Sequence, residues 1–266
     1  MTALEALDQH CKQLRLSALA QTIPQALELA SKEEWSLESF LIYLLEQEVN
    51  ERQQRRIQRR LRQARLPLDK TLDHFDQGRL PLRVRRQIPW LVQGEFINQA
   101  HNILIFGNPG TGKTHLASAL AFEWIQRGYP VWFSPTFKLV DGLLRAKRDY
   151  ELERELKRLD RFQVVILDDI GYVQQSREEM EVLFTFLAER YERRSVVITS
   201  NLVFSQWDQI FKDPLTTAAA IDRVVHHSRI IEFGSDVTSV RAEQAAQRHS
   251  LELDQATTDQ SEPEQN

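Results

Sequence analysis

The residues with the clearest chemical potential form one glycine-rich stretch. Residues 107–114 read Gly-Asn-Pro-Gly-Thr-Gly-Lys-Thr, which matches the phosphate-loop pattern G-x-x-x-x-G-K-[ST]. Glycines at these spacings let backbone N–H groups point at a polyphosphate, and the following helix adds the positive end of its dipole. Lys113 can bind the β- and γ-phosphates, and the Thr114 hydroxyl can ligate Mg²⁺. The sequence therefore predicts a nucleoside triphosphate site built from Gly107, Asn108, Pro109, Gly110, Thr111, Gly112, Lys113, Thr114 and His115.

Polar residues also follow two apolar runs further along the chain. Asp168 and Asp169 end the run that begins at Val164, and Asn201 follows the run 195–200. Phosphate-loop ATPases hold Mg²⁺ through an acid at the C-terminal edge of such a strand. We predict Asp168 as the metal-side carboxylate, Asp169 as the group that orients or deprotonates the attacking water, and Asn201 as a holder of that water. The alternative for Asn201 is a helix cap or a turn residue.

The elements that must position these residues alternate from residue 101 onward. Apolar runs predict strands at 102–106, 131–134, 163–168, 195–200 and 229–233. Helical patterns between them predict helices at about 113–127, 136–148, 151–161, 177–193 and 203–225. Such alternation is typical of a parallel sheet with helices on both faces, so we predict an α/β fold with a five-stranded parallel sheet.

The chain outside this core divides by composition. Residues 1–66 read as a small helical domain, in which Phe40, Leu41, Leu44, Leu45 and Val49 are predicted to form one buried helix face. We expect a connector at 67–100, the ATPase-like core at 101–235, a short helix at 236–250 and an acidic, disordered tail at 251–266.

Bulk composition limits the class of protein. Cys11 is the one cysteine among 266 residues, which excludes a disulfide framework and fits a reducing cytoplasm. No apolar run approaches the roughly 18 residues of a membrane span, so we expect no membrane partner. The tail carries five acids and no lysine or arginine, so the net charge of −4 becomes +1 for residues 1–250 (−4 + 5 = +1).

A stripe of arginines occupies the end of the last N-terminal helix. The spacing i, i+3, i+4, i+7, i+8 places the five side chains within about 140° of one another on a helix. No acid lies between them and Pro67, and a one-sign stripe favours a polyanion over a solvated face, which usually mixes signs. We predict contact with double-stranded DNA, mainly with its phosphates, through Arg52, Arg55, Arg56, Arg59 and Arg60.

A second basic surface is predicted after the second strand. We predict that this surface is a second site of contact with DNA, and it comprises Lys138, Arg145, Lys147 and Arg148. Glutamates at 151, 153 and 155 lie close in sequence, so an ion-paired surface is an equally good reading of this region.

Together these motifs resemble an AAA+ ATPase, and they are most similar to its IstB/DnaC-like branch. The similarity is carried by Gly-Asn-Pro-Gly-Thr-Gly-Lys-Thr-His-Leu-Ala, Leu-Asp-Asp-Ile-Gly-Tyr, Ile-Thr-Ser-Asn and the stretch Ile221 to His227, Ile-Asp-Arg-Val-Val-His-His. It extends from the N-terminal helices to about residue 233. The resemblance to the IstB family implies ATP as the nucleotide and self-association into an AAA+ oligomer.

The same resemblance assigns roles that spacing alone does not. It implies that Arg223 is an arginine finger that reaches the γ-phosphate of a neighbouring subunit, with Arg229 as the second choice and a local salt bridge as the alternative. Arg241 is a candidate second sensor. Asp169 departs from the family pattern, since most AAA+ enzymes have glutamate there, and slow water activation would suit a timer or switch.

The family implies an ATP-dependent, DNA-binding regulator of DNA transposition that assembles on duplex target DNA, hydrolyses ATP, and activates or recruits the transposase of the same element. Its hydrolysis of ATP to ADP and phosphate is expected to depend on Mg²⁺ and to be stimulated by DNA. Three alternatives stay open. They are a DnaC-like loader of the replicative helicase, a small-molecule kinase, and a scaffold that binds ATP without hydrolysing it. A kinase would need a phosphate-acceptor pocket, for which the sequence shows no motif.

Overall fold

A computed structural model describes residues 2–67, 69–172, 176–207 and 214–234. The predicted helix at 236–250, Arg241 and the acidic tail at 251–266 lie outside the described residues. The chain divides into two compact units, residues 1–60 and 61–266.

The first unit is helical. Its helices are α1 (Ala3–Gln13), α2 (Ser17–Lys32) and α3 (Leu37–Ala64), and the boundary between the units falls within α3. Thr2 caps α1 by accepting from the Glu5 N–H, while the Glu5 carboxylate accepts from the Thr2 N–H. This capping box satisfies N–H groups that a helix start otherwise leaves without partners. A small core of Cys11, Ile23, Ala26 and Leu44 holds the three helices together.

The predicted buried face of α3 is wrong for three of its five residues. Leu44 is buried and Phe40 packs against the small core, but Leu41, Leu45 and Val49 are more than half exposed. The helix is rotated so that Glu48 is buried instead. Its carboxylate accepts hydrogen bonds from the Ala18 and Leu19 N–H groups at the start of α2. The buried face of α3 thus includes a charged group that caps the neighbouring helix.

The second unit contains the predicted parallel sheet. Its strands are β1 (Asn102–Phe106), β2 (Val131–Pro135), β3 (Val164–Asp168), β4 (Ser195–Ser200) and β5 (Ser228–Glu232). Within the described residues they form one five-stranded sheet in the order β2-β3-β4-β1-β5, and every pairing is parallel. The predicted α/β fold is confirmed. All residues of β1 and β4 are buried, as expected for strands covered by helices on both faces.

The helices of this unit follow the predicted alternation, with shifted ends. They are α7 (Lys113–Gln126), α8 (Thr136–Arg148), α9 (Leu152–Leu159), α10 (Arg177–Arg190) and α11 (Pro214–Val225). The last of these begins later than the predicted 203, after a short 3₁₀ turn at Phe204–Gln206 and residues that lie outside the described part. Among the described residues, no helix combines the length and hydrophobicity that a membrane span requires.

The connector is more ordered than its sequence suggests. It contains a 3₁₀ turn (Gln77–Arg79) and the short helices α4 (Leu82–Arg85), α5 (Ile88–Gln93) and α6 (Glu95–Asn98). Trp124 of α7 is fully buried and donates from Nε1 to the Leu91 carbonyl of α5. The connector is thus packed onto the helix that follows the phosphate loop.

Candidate functional site

The phosphate loop lies between the end of β1 and the start of α7, as predicted. Gly110 and Gly112 have φ angles of +79° and +102°, which side chains rarely tolerate, so glycine is required at both positions. Lys113 is buried, and its Nζ donates to the Gly107 and Asn108 carbonyls at 2.8 Å each. The ammonium is therefore held inside the phosphate loop by two of the loop's own carbonyl groups.

Asp168 is the centre of a hydrogen-bond cluster at the C-terminal edge of the sheet. The Thr114 hydroxyl donates to Asp168 Oδ1 at 2.9 Å and approaches Oδ2 at 3.1 Å. The Thr199 hydroxyl of β4 donates to Asp168 Oδ1 at 2.7 Å and accepts from the Asp169 N–H at 2.8 Å. Thr136 donates to the Asp168 carbonyl. Two neighbouring elements, α7 and β4, thus fix the Asp168 carboxylate beside the phosphate loop, and α8 holds the backbone of the same residue.

The donor set fits Mg²⁺. This ion usually binds through one or two protein oxygens together with water and phosphate oxygens. The Thr114 hydroxyl and the Asp168 carboxylate, which are in contact, supply such oxygens. Thr114 and Asp168 are therefore the residues that would hold the ion.

Asp169 and Asn201 lie at the same edge and line the same cavity. Asp169 has a φ of +61°, a left-handed conformation that aspartate tolerates better than most residues. The Asn201 Oδ1 atom is buried, and among the described residues it has no hydrogen-bond partner. A buried acceptor without a protein partner is expected to hold a water or a ligand group. The structure thus brings Lys113, Asp168, Asp169 and Asn201 to one place.

Gly171 makes this arrangement possible. A Cβ atom at this position would overlap the Asn201 Oδ1 atom and would lie 2.9 Å from Leu202 Cγ. Only a residue without a side chain allows the turn after Asp169 to approach Asn201 this closely.

The cavity has a volume of about 620 Å³ and is bounded by the phosphate loop and by the connector. On the connector side it is lined by Asp69, Lys70, His74, Phe75, Asp76 and Arg79. The Phe75 ring meets the His115 ring edge-on, with centroids 5.0 Å apart, and the Thr71 carbonyl lies 3.0 Å from His115 Nε2. His115 therefore faces the connector rather than an open surface.

Sequence reasoning missed the roles of Thr199, Gly171 and this connector wall. The run Ile-Thr-Ser-Asn contains a threonine two residues before Asn201, and on a strand that spacing places both on one face, which is the signal that could have found Thr199. The connector lacks periodicity and gives no comparable signal.

Arg223 and Arg229 stand apart from the cavity of their own subunit. Neither is among the described residues that line it. The Arg223 guanidinium stacks on the Phe184 ring of α10 at 4.6 Å and donates to the Ala219 carbonyl. Arg229 donates to Gln87 Oε1 and lies 5.3 Å from the Trp90 ring. Neither forms a salt bridge to a described acid, so the alternative role of Arg223, a local ion pair, is not seen in that part of the chain.

The expected arginine stripe is partly neutralised. Arg52 pairs with Glu48 and Arg55 with Glu51, each at 2.7 Å and each one helical turn upstream. Arg52 also donates to the Arg15 carbonyl and Arg55 to the Ser17 hydroxyl, so both tie α3 to the start of α2. The expectation of unpaired arginines is wrong for these two, because it considered only acids downstream of Arg52.

The remaining stripe residues differ in exposure. Arg56 and Arg59 are exposed, and in the described part of the chain neither has an acidic partner. Arg60 is half-buried, and burial, together with the charges of Arg56 and Arg59, lowers its pKa.

The second basic surface is ion-paired. Arg145 binds Asp141 at 2.8 Å, Lys147 binds Glu181 at 2.9 Å, and Arg148 lies 3.8 Å from Glu178. Lys138 is exposed and lies 5.9 Å from the Phe137 ring. Of the two readings of this surface, the structure favours the ion-paired one, although the partners are on α8 and α10 rather than at 151–155.

Sequence comparisons agree with this geometry. The family model of the IstB-like ATP binding protein matches residues 9–247. An insertion sequence ATP-binding protein of Sinorhizobium fredii is 40% identical over 89% of this chain and 80% of its own length. An ATP-binding protein of insertion sequence IS21 from Pseudomonas aeruginosa is 39% identical over 83% of each chain.

Solved structures show the same fold at lower identity. The DnaC helicase loader superposes with a TM-score of 0.54 at 20% identity, covering 63% of this chain and 98% of that one. AMPPCP-bound DnaA from Aquifex aeolicus gives a TM-score of 0.51 at 21% identity, covering 65% and 52%. The fold is that of AAA+ ATPases. Since the family match spans residues 9–247, this chain belongs to the family of IstB-like ATP-binding proteins.

Proposed function

We propose that this protein is an ATP-hydrolysing, DNA-binding regulator of DNA transposition, which assembles on duplex target DNA and activates or recruits the transposase of its element. The observation that carries the proposal is the contact of Thr114 with Asp168 beside a complete phosphate loop. Three relatives that are named as ATP-binding proteins of insertion sequences support the transposition context. A cytoplasmic location belongs to the same proposal.

The chemistry follows from the chain's own residues. Lys113 leaves the loop carbonyls for the β- and γ-phosphates of ATP, and bound Mg²⁺ would neutralise charge on phosphate oxygens next to Thr114 and Asp168. Asp169 accepts a proton from water as the water oxygen bonds to the γ-phosphorus and the bond to ADP breaks. Asn201 accepts a hydrogen bond from the same water through its buried Oδ1.

We further propose that Arg223 completes the site of a neighbouring subunit. Its guanidinium is stacked on Phe184 and does not line its own cavity, which suits a group that acts in trans. Lys113→Ala and Arg223→Ala subunits are each expected to be inactive alone. Mixing them should restore part of the hydrolysis, because some interfaces then combine one intact loop with one intact finger. A mixture no more active than its two components would exclude action in trans.

The DNA surface is proposed to centre on Arg56 and Arg59, with Arg60 beside them. In the described part of the chain, Arg56 and Arg59 are exposed and form no ion pair with an acid, and exposed guanidinium groups bind phosphates without sequence preference. Arg52 and Arg55 are assigned to holding the first unit together, and they add positive potential only in part.

ATP-dependent DNA binding by Lys113→Ala tests the whole proposal. The wild-type chain should bind duplex DNA more tightly with ATP than with ADP, and Lys113→Ala should lose that difference. Lys32→Ala, which removes an exposed lysine from α2, is the matched control and should retain it. Undiminished ATP-dependent assembly and binding by Lys113→Ala would refute the proposal.

Loading of a replicative helicase is the second candidate. The likeness to the DnaC helicase loader, which covers 98% of that structure, favours it at the level of fold alone. Affinity capture with the purified chain separates the two functions, because a loader retains the helicase and a transposition regulator retains the transposase.

A further inference from the structure

A cluster of metal-binding side chains lies away from the nucleotide cavity. Glu192 follows the end of α10, and His226 and His227 follow the end of α11. The ligand atoms of the three residues lie within 4.8 Å of one another, and among the described residues no other group of three or more histidines, cysteines or acids meets this condition. His227 Nε2 is 3.4 Å and His226 Nδ1 is 3.9 Å from Glu192 Oε1.

We propose that Glu192, His226 and His227 bind one divalent transition-metal ion, for which Zn²⁺ is the best match. Two imidazoles and one carboxylate are ligands that Zn²⁺ commonly takes, with bonds of about 2.0–2.2 Å. Tetrahedral ligands at such bond lengths are separated by about 3.3–3.6 Å. His227 Nε2 and Glu192 Oε1 are 3.4 Å apart, and all three ligand atoms lie within 4.8 Å of one another. Closure around an ion therefore needs side-chain movements of up to about 1 Å. A water molecule would supply the fourth ligand.

The surroundings restrict the two imidazole rings. The His101 ring stacks on the His227 ring with an angle of 6° and a centroid distance of 5.3 Å. The Tyr191 hydroxyl lies 2.8 Å from His226 Nδ1. Metal-binding histidines usually hold an oxygen with one ring nitrogen and bind the ion with the other, so His226 would offer its Nε2 atom to the ion while Nδ1 keeps the Tyr191 hydroxyl.

The ion would connect the end of α11, which carries the proposed finger, to the end of α10. Arg223 of α11 lies three residues before His226, and it stacks on Phe184 of α10, the helix that leads to Glu192. Fixing Glu192 to the two histidines would therefore fix the segment that presents Arg223. This consequence rests on the proposed role of Arg223, whereas the metal site itself does not.

Metal titration tests the site without nucleotide or DNA. The untagged full chain, stripped with a chelator, is titrated with Co²⁺ in excess Mg²⁺, and Zn²⁺ is then added to displace the Co²⁺. We expect one Co²⁺ per chain with the visible absorption of a four-coordinate site, and its loss on adding Zn²⁺. His226→Ala and His227→Ala should each weaken binding by at least about tenfold. His10→Ala, an exposed histidine on α1, is the control and should bind as the wild type does.

A second readout covers variants that lose structure. Zn²⁺ should raise the Tm of the wild-type chain and of His10→Ala, and it should not raise that of Glu192→Gln, which keeps the size of the side chain. Circular dichroism shows whether each variant is folded. A wild-type chain that binds no Co²⁺ or Zn²⁺ in excess Mg²⁺, or folded variants that bind as tightly as the wild type, would overturn the proposal. Either result leaves the ATP and DNA proposals untouched.

Discussion

Charged residues at regular spacings predicted two sites, one at the C-terminal edge of the sheet beside the phosphate loop (the nucleotide edge) and one on the arginine stripe of α3. The structure agrees with the first prediction more fully than with the second. At the sheet edge, the structure brings Lys113, Thr114 and Asp168 into one cluster although 54 residues separate Thr114 from Asp168. On α3, two of the five arginines are paired with Glu48 and Glu51. The difference shows which kind of pattern constrains geometry.

Parallel strands explain the success at the sheet edge. The C-terminal ends of parallel strands meet at one edge, so the polar residues that follow each apolar run must lie near one another. A surface helix imposes no such convergence. Its charges pair with whatever lies one turn away on either side, and the acids that neutralise Arg52 and Arg55 lie upstream of the stripe.

The largest expected effect is at the centre of the nucleotide edge. Asp168→Asn keeps the size of the side chain but removes the charge that would hold Mg²⁺, so ATP hydrolysis should fall by about a hundredfold or more. Phosphate release measures this. Asp149→Asn, an exposed aspartate after α8, should hydrolyse ATP as the wild type does. Near-normal hydrolysis by Asp168→Asn would remove the carboxylate from the mechanism.

Two glycines provide a matched pair for the next effect. Gly171→Ala places a methyl group against Asn201 and should cost about 1–3 kcal/mol of stability and much of the ATPase activity. Gly142→Ala, within α8, meets no atom within 4 Å and should be neutral or stabilising by up to about 1 kcal/mol. Thermal unfolding and phosphate release on both variants make the comparison. Equal behaviour of the two would show that Gly171 has no positioning role.

Arg56 and Arg59 should contribute more to DNA binding than Arg52 and Arg55 do. Replacing Arg56 and Arg59 with glutamine removes two proposed phosphate contacts, so affinity should fall by about tenfold and the salt slope by about 2. Replacing Arg52 and Arg55 should instead lower the Tm, with the salt slope nearly unchanged, since these side chains bind within the first unit. Fluorescence anisotropy at several salt concentrations measures both slopes, and a reversed order would contradict the division.

The smallest effect concerns Glu48. Burial raises the pKa of this carboxyl, but the N–H groups of Leu19 and Ala18 and the Arg52 guanidinium outweigh burial, so its pKa lies below the ordinary 4.5. A lowered pKa in the folded state stabilises the fold above pH 4.5, and that stabilisation is lost as the pH falls through the folded pKa.

Glu48→Gln tests this contribution. It should cost about 1 kcal/mol at neutral pH, measured by denaturant unfolding, and the gap to wild type should shrink below pH 4.5. A gap that is independent of pH would mean that the charge of Glu48 contributes nothing.

Sequence patterns predicted the sheet, its strand positions and the residues at its edge, because alternation and buried apolar runs leave few topologies. They could not predict which face of α3 is buried, since that face includes Glu48, which caps α2 at a distance of 30 positions along the chain. They also missed the connector wall around Phe75. The residues of this wall come from the connector, whose sequence has no periodicity. The connector is ordered by packing against α7 rather than by the helix or strand propensity of its own residues.

We also propose that duplex DNA bound by α3 stimulates ATP hydrolysis at the C-terminal edge of the sheet. The most direct measurement is the rate of phosphate release as duplex DNA is added, for the wild type and for the chain with Arg56 and Arg59 replaced by glutamine. We expect duplex DNA to stimulate phosphate release by the wild type. In the double variant, the same stimulation should require about tenfold more DNA. Release that is the same with and without DNA, or no release at all, would contradict it.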